Sequence, residues 1–207
     1  MAVISQHFCE RCGSPSEETV CNDCILHPHL FTRARALGKY NGIIRELVLL
    51  FKSKRKLSIG RRLGNLLGKM VQDDEILSKA DTIIPVPLYP VAKRTRGYNQ
   101  SEILCYEVSK VTSIPTITDA LAQIKVTKPQ KSFSTSNLSY DEQKEQRKAN
   151  VKGAFKIKFP DKVVGKRIIL IDDVCTTGAT LDECASELLK GGAKDIYAAV
   201  VARAVSS

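Results

Sequence analysis

The sequence predicts an α/β protein: a parallel sheet flanked by helices, preceded by a small zinc ribbon or knuckle and a basic helical segment. Three observations carry that expectation. Ile168 to Ile171 form an apolar run with no polar face, the pattern of a strand buried on both sides of a parallel sheet, and helix-like LDECASELLK follows after a short turn. Thr82 to Pro87 (TIIPVP) and Ile196 to Val201 are strand-like runs set among helical stretches. Four of the seven cysteines fall within sixteen residues, as Cys9-x2-Cys12-x8-Cys21-x2-Cys24. The 207 residues then divide into a knuckle (1–30), a basic helical segment packed on the core (31–75) and the sheet domain (76–207).

In the knuckle, each Cys-x2-Cys turn aims two thiolates at one ion, which matches tetrahedral Zn²⁺ at Cys9, Cys12, Cys21 and Cys24. The loop between the pairs is only eight residues, so the segment is a small ribbon or knuckle, too small to fold without metal, and Gly13 suits a knuckle turn. An iron–sulfur cluster fits less well, because its usual spacings differ. His27 and His29 are surplus to a four-thiolate site and are expected on the surface. The odd cysteine count favours reduced thiols. MAVISQHFCERC has neither a charged n-region nor an apolar core, so a cytoplasmic location is expected.

Residues 33–72 read as helical. Ile43, Ile44, Leu47, Leu50 and Phe51 share one stripe, and a second helix begins near Ser58 with Ile59, Leu63, Leu66, Leu67 and Met70 spaced for burial. Gly60, Gly64 and Gly68 recur every fourth residue, which suits close packing of the backbone. The fragment GNLLGKM is not a nucleotide-binding loop, since its glycine spacing is one short and Met70 stands where Ser or Thr would bind Mg²⁺. Eleven basic residues and a single acid, Glu46, lie between Arg33 and Lys69, so the whole net charge of +10 is concentrated there. Such an excess suits a polyanion, with single-stranded DNA the candidate for 33–69; the plainer reading is a solvated helical face. No apolar run approaches the roughly 20 residues that span a bilayer, since Arg45 and Glu46 interrupt Ile43 to Phe51.

Proline stops the strand at 82–87, and LYPVAKRTRGYNQ follows as a loop. Lys93, Arg94 and Arg96 at a strand's carboxyl end suit a pyrophosphate, and Gly97 to Gln100 turn the chain and cap a helix from Ser101 to Val111. Residues 127–138 form a polar loop of the kind that excludes water as a lid; a helix from Tyr140 to Ala149 and a strand from Ala154 to Ile157 follow. Gly191-Gly192 ends the last helix.

The most informative stretch is IILIDDVCTTGAT, Ile168 to Thr180. Thr176, Thr177, Gly178, Ala179 and Thr180 offer N–H groups and hydroxyls to a phosphate, aided by the dipole of the following helix. Gly178 permits positive φ and close approach. Asp172 and Asp173, at the expected end of the strand, suit ribose hydroxyls or a bound Mg²⁺.

This pattern closely resembles the phosphoribosyl-diphosphate (PRPP) signature of type I phosphoribosyltransferases, with Cys175 in place of the usual aliphatic residue. Together with the four-cysteine knuckle, Tyr40-x-Gly42-x-x-Arg45, Ile84-Pro-Val-Pro87, Arg96-Gly-Tyr-Asn-Gln100, Thr127-x-x-Gln130 and Arg147-x-x-Asn150, it makes almost the whole chain similar to the ComF (competence protein F) family. The resemblance implies a phosphoribosyltransferase-like fold and PRPP bound with Mg²⁺ by Asp172, Asp173 and residues 176–180. It also implies a part in DNA uptake during natural transformation, with a competence helicase or another uptake protein as partner. Thr127, Gln130 and Arg147 are the candidate lid residues. The alternative is an active transferase moving phosphoribose to an acceptor and releasing pyrophosphate, but no stretch reads as an acceptor site. Two departures stand out: the segment between Gln130 and Arg147 is long, and Phe51-Lys52-Ser53 replaces a Lys-Tyr pair.

Overall fold

The computed structural model describes residues 7–53, 56–127 and 139–204. Its centre is a four-stranded, all-parallel sheet in the order β1-β6-β5-β2, formed by β1 (Arg33–Lys39), β2 (Thr82–Pro85), β5 (Arg167–Cys175) and β6 (Asp195–Arg203). A separate antiparallel pair joins β3 (Leu121–Gln123) to β4 (Phe155–Ile157).

Because strand side chains alternate between faces, the run Ile168 to Ile171 feeds two cores. Ile168 and Leu170 pack with Ile196, Ala198 and Val200 beneath Leu181, Ala185 and Leu188 of α7 (Ala179–Lys190), and that core extends to Cys9, Cys12 and Cys24. Ile169 and Ile171 pack on the other face with Val48 and Phe51 of α2 (Gly42–Ser53), Leu63, Leu67 and Val71 of α3 (Leu57–Asp73), and Leu104 and Val108 of α5 (Gln100–Thr112). The three glycines of α3 serve the close approach their spacing predicts. A Cβ on Gly64 would stand 2.6 Å from Glu107 Cβ and one on Gly68 2.7 Å from Val111 Cβ, both on α5, while one on Gly60 would meet the Phe51 ring.

The helical reading of 33–72 is corrected at its start: Arg33–Lys39 is a strand, hydrogen-bonded in parallel along β6 from Arg33↔Tyr197 to Lys39↔Arg203. The charged pair Arg33 and Arg35 alternating with Ala34 and Ala36 is a period-two pattern too short to outweigh the helical stretch that follows it. Helix begins only at Gly42 and again at Leu57. The polar stretch after β2 likewise contains a short helix, α4 (Pro90–Arg96), in place of the expected loop. α6 (Tyr140–Val151) opens with a complete capping box between Ser139 and Glu142 and packs on α7. Among the described residues no helix is long and apolar enough to cross a membrane.

Candidate ligand site and cysteine cluster

β5 runs further than its apolar core suggests. β2 stops opposite Ile171, but β6 continues to Arg203, so Asp172 pairs with Val200 and Cys175 with Arg203 inside the ladder. The acidic pair therefore sits on a rigid strand, just where the neighbouring strand on one side has ended. After Cys175 the chain turns through Gly178, whose φ of +85° makes it the left-handed N-cap of α7, and no side chain caps that helix. The first amide groups of α7, which have no partner within the helix, are thus left for an anion. Thr177 is buried, and its Oγ1 has no hydrogen-bond partner. A phosphate in the turn would satisfy it.

Asp172 accepts hydrogen bonds from Ser101 Oγ (3.2 Å) and from the Asp173 amide (2.8 Å). Burial first, then the adjacent Asp173 carboxylate, push its pKa up to about 7 against the pull of Lys52. Asp173 is paired with Lys52 at the end of α2, Nζ to Oδ1 2.8 Å. Burial works against the Lys52 charge, but Asp173 outweighs it and holds the ammonium above the ordinary lysine range.

Each residue of Arg96-Gly-Tyr-Asn-Gln100 helps to place this half of the site. Gly97 closes α4 at φ +87°. Tyr98 donates its hydroxyl to the Phe51 carbonyl and stacks on the Phe51 ring at 5.8 Å, fixing the end of α2 beside the acids. Asn99 caps α5 by accepting from the Ser101 amide and donates to the Val86 carbonyl. Gln100 accepts from Arg96 Nη1 at 2.6 Å, while its own Nε2 is buried without a partner. Of the basic residues expected near a pyrophosphate, Lys93 pairs with Glu102 (2.7 Å), Arg96 is engaged with Gln100, and Arg94 is exposed on α4. The partners of Lys93 and Arg96 thus both stand on α5. Of the lid residues, Thr127 accepts from Gln123 Nε2 (3.2 Å), and Arg147 lies on α6 with its Nε buried and unpartnered. Gln130 lies outside the described residues.

The cysteine cluster fits zinc on geometric grounds. The sulfurs of Cys9, Cys12, Cys21 and Cys24 lie within 4.8 Å of one another, and Cys12 Sγ is 3.7 Å from Cys21 Sγ. A tetrahedron with Zn–S bonds of about 2.3 Å has edges of about 3.8 Å. The amides of Cys12 and Cys21 donate to Cys9 Sγ, as suits a thiolate cluster. The Cys12 thiol is pushed down to about 4, chiefly by a hydrogen bond from Cys24, with the charge of Arg203 adding to it, and Cys24 is raised in return. Gly13 turns at φ +71° with the Ala34 carbonyl 2.7 Å from where a Cβ would be.

His29, expected at the surface, is corrected: it is 5% exposed. Its Nδ1 lies 2.7 Å from Asp182 Oδ2 on α7, its ring stacks on Phe31 at 4.4 Å, and it fills the space a Cβ on Gly178 would need. Buried Arg203 likewise joins the two ends of the chain, donating to Ser14 Oγ (2.6 Å) and Cys175 Sγ (3.0 Å). Lys144 of α6 pairs with Asp23 of α1 (Asn22–Leu26), the short helix of the knuckle. The sequence reading missed Lys52, Ser101, His29 and Arg203. A lysine directly after the apolar stripe of α2 was the local signal for Lys52; the other three are placed by contacts across 71 to 189 positions.

A profile of the phosphoribosyl transferase domain matches residues 106–207. The chain is 31% identical to competence protein F of Haemophilus influenzae over 207 residues, 95% of this chain and 85% of that protein. It is 30% identical to the DNA utilization protein YhgH of Escherichia coli strain K12, over 90% of this chain and 79% of that one. Competence protein ComFC of Bacillus subtilis is 27% identical, over 91% and 74%. Among solved structures, a glutamine PRPP amidotransferase from B. subtilis complexed with ADP and GMP aligns with a TM-score of 0.44 and 18% identity, over 69% of this chain and 26% of that one. The chain belongs to the competence protein F family.

Proposed function

We propose that this protein binds PRPP, or a related phosphoribosyl ligand, at the β5–α7 junction and supports the import of single-stranded DNA in natural transformation. The observation that carries the ligand reading is the uncapped, left-handed Gly178 turn with the buried, unpartnered Thr177 hydroxyl. Residues 176–180 take the 5′-phosphate, and Asp172 and Asp173 accept from the ribose hydroxyls. Lys93, Arg94 and Arg96 serve the diphosphate, and Thr127, Gln130 and Arg147 serve the lid. Mg²⁺ travels on the diphosphate of the ligand, because Asp173 already holds the Lys52 ammonium. Zn²⁺ is structural at the four cysteines.

Competence names among the relatives support the DNA reading, as does the surface of the basic segment. Arg33 and Arg35 pair with Asp74 (3.0 and 3.2 Å) and Lys52 with Asp173, but Lys39, Arg45, Lys56, Arg61, Arg62 and Lys69 are exposed. These are the cations available to phosphates of a single strand, with a competence helicase as protein partner.

Calorimetric titration of PRPP with Mg²⁺ into the zinc-loaded protein tests the core of the proposal. Saturable binding is expected, and its loss in Asp172→Asn/Asp173→Asn. Absence of binding to the folded wild type would remove the phosphoribosyl reading altogether.

A further inference from the structure

The acidic pair does not wait for its ligand without a counter-charge. Two carboxylates on successive residues of one strand repel each other, and a pair of this kind usually relies on a divalent ion or on protonation of one member. Here the compensating charge comes from within the chain. The Lys52 ammonium lies 2.8 Å from Asp173 Oδ1, delivered from α2, 121 positions earlier in the sequence. Its place is built rather than incidental. The Tyr98 hydroxyl binds the carbonyl of the residue just before it, and the Phe51 ring is buried under Tyr98 and against Gly60 of α3. Ser101, in the first turn of α5, holds Asp172 from the other side. Lys52 itself is 30% exposed at the side chain, so it borders the open side of the site rather than the core, while Asp173 is 9% exposed.

We propose that Lys52 is a positioning residue of the acidic site: its ammonium holds Asp173 where a divalent cation would otherwise be needed, so the pair accepts the ribose hydroxyls of a phosphoribosyl monophosphate without metal. The proposal rests on the phosphoribosyl reading above and adds a ligand class to it, the 5′-phosphorylated ribose lacking a diphosphate. For such a ligand the two recognised ends are the phosphate, in the turn at 176–180, and the hydroxyls, at Asp172 and Asp173. Neither end brings Mg²⁺ with it. For PRPP the ion comes with the diphosphate and leaves the Lys52–Asp173 pair undisturbed.

The probes are ribose 5-phosphate and PRPP, titrated into the zinc-loaded wild type, Lys52→Gln and Lys52→Arg, with and without Mg²⁺. Wild type is expected to bind ribose 5-phosphate equally well in both buffers. Lys52→Gln should lose about tenfold or more of that affinity in the metal-free buffer, the scale of a lost charge-assisted hydrogen bond, and recover part of it with Mg²⁺. Lys52→Arg should behave like wild type, which separates charge from packing. The Lys52 proposal is overturned if Lys52→Gln binds ribose 5-phosphate like wild type, or if wild type itself needs Mg²⁺ for it. It is overturned alone if wild type binds PRPP with Mg²⁺ but not ribose 5-phosphate. If wild type binds neither ligand in either buffer, the phosphoribosyl reading falls and takes this inference with it.

Discussion

The two halves of the candidate site are built by opposite strategies. The β5–α7 half is contiguous: strand, acids, turn and helix follow one another within thirteen residues, and local backbone geometry places them. The α2–α5 half is assembled: Lys52, Tyr98 and Ser101 come from two helices and the turn before the second, held together by packing of α3 on α5. On the proposed reading the first half supplies the recognition groups. The second supplies the electrostatic setting in which those groups work, and it depends on the core remaining intact.

That contrast is most sharply broken by glycine substitution, because each half has a glycine it cannot do without. Gly64→Val should damage the fold rather than the site. Its side chain would enter space held by Glu107, prise α3 from α5 and cost about 1–3 kcal/mol, which lowers Tm by several degrees. Gly178→Ala combines a φ of +85° with a Cβ 2.7 Å from the His29 ring. It should cost about 1–3 kcal/mol as well, but with a larger loss of phosphate-ligand affinity than of stability. Thermal melts and titrations on the two variants distinguish a half that fails through packing from one that fails locally.

A finer test uses the acid that both halves touch. The pKa of Asp172 is raised in the folded chain, so its stabilising contribution is complete below the unfolded value of about 4 and is lost as pH rises through about 7. Asp172→Asn keeps an acceptor for Ser101 and for the Asp173 amide but carries no charge. It should therefore melt a few degrees above wild type at pH 8, with the gain shrinking toward pH 5, while ligand binding is weakened at both. Absence of any gain at pH 8 would mean that Lys52 already offsets both burial and the Asp173 charge at Asp172.

The smallest expected effect concerns the outer surface, where the basic residues not engaged with acids stand. Arg61→Ala/Arg62→Ala should leave Tm and PRPP binding unchanged. The slope of log affinity for single-stranded DNA against log salt should fall by roughly 1.4, at about 0.7 per phosphate contact. An unchanged slope would assign the charge of α3 to solvation alone.

The same contrast explains what the sequence made legible. The apolar run of β5, the turn chemistry of 176–180, the cysteine spacing and the glycine ladder of α3 are local patterns, and the structure bears out the strand, the left-handed Gly178, the sulfur cluster and the tight α3–α5 packing. What escaped was long-range. Arg33–Lys39 became a strand because β6 offers it a parallel partner, which a short alternation of arginine and alanine does not announce. His29 was misplaced on the surface because its burial depends on Asp182 and Gly178, some 150 positions away. Lys52 sat in view, at a position noted only as a departure from the family pattern, and its meaning came from Asp173.

The position of β6 between β1 and β5 governs the order in which the chain can acquire its structure. The four sulfurs come from sixteen consecutive residues, so the cluster can close before β5 and β6 are made. β1 follows it directly, but the backbone groups it presents toward the sheet find their partners only in Tyr197 to Arg203. Through most of synthesis the first strand therefore lacks its partner, whereas β5 waits only while Thr176 to Lys194 are added. β1 also meets the cysteine knuckle: the Arg11 carbonyl takes the Ala34 amide, and Gly13 lies against the Ala34 carbonyl. The knuckle thus occupies backbone groups of an edge strand that would otherwise be open to another chain.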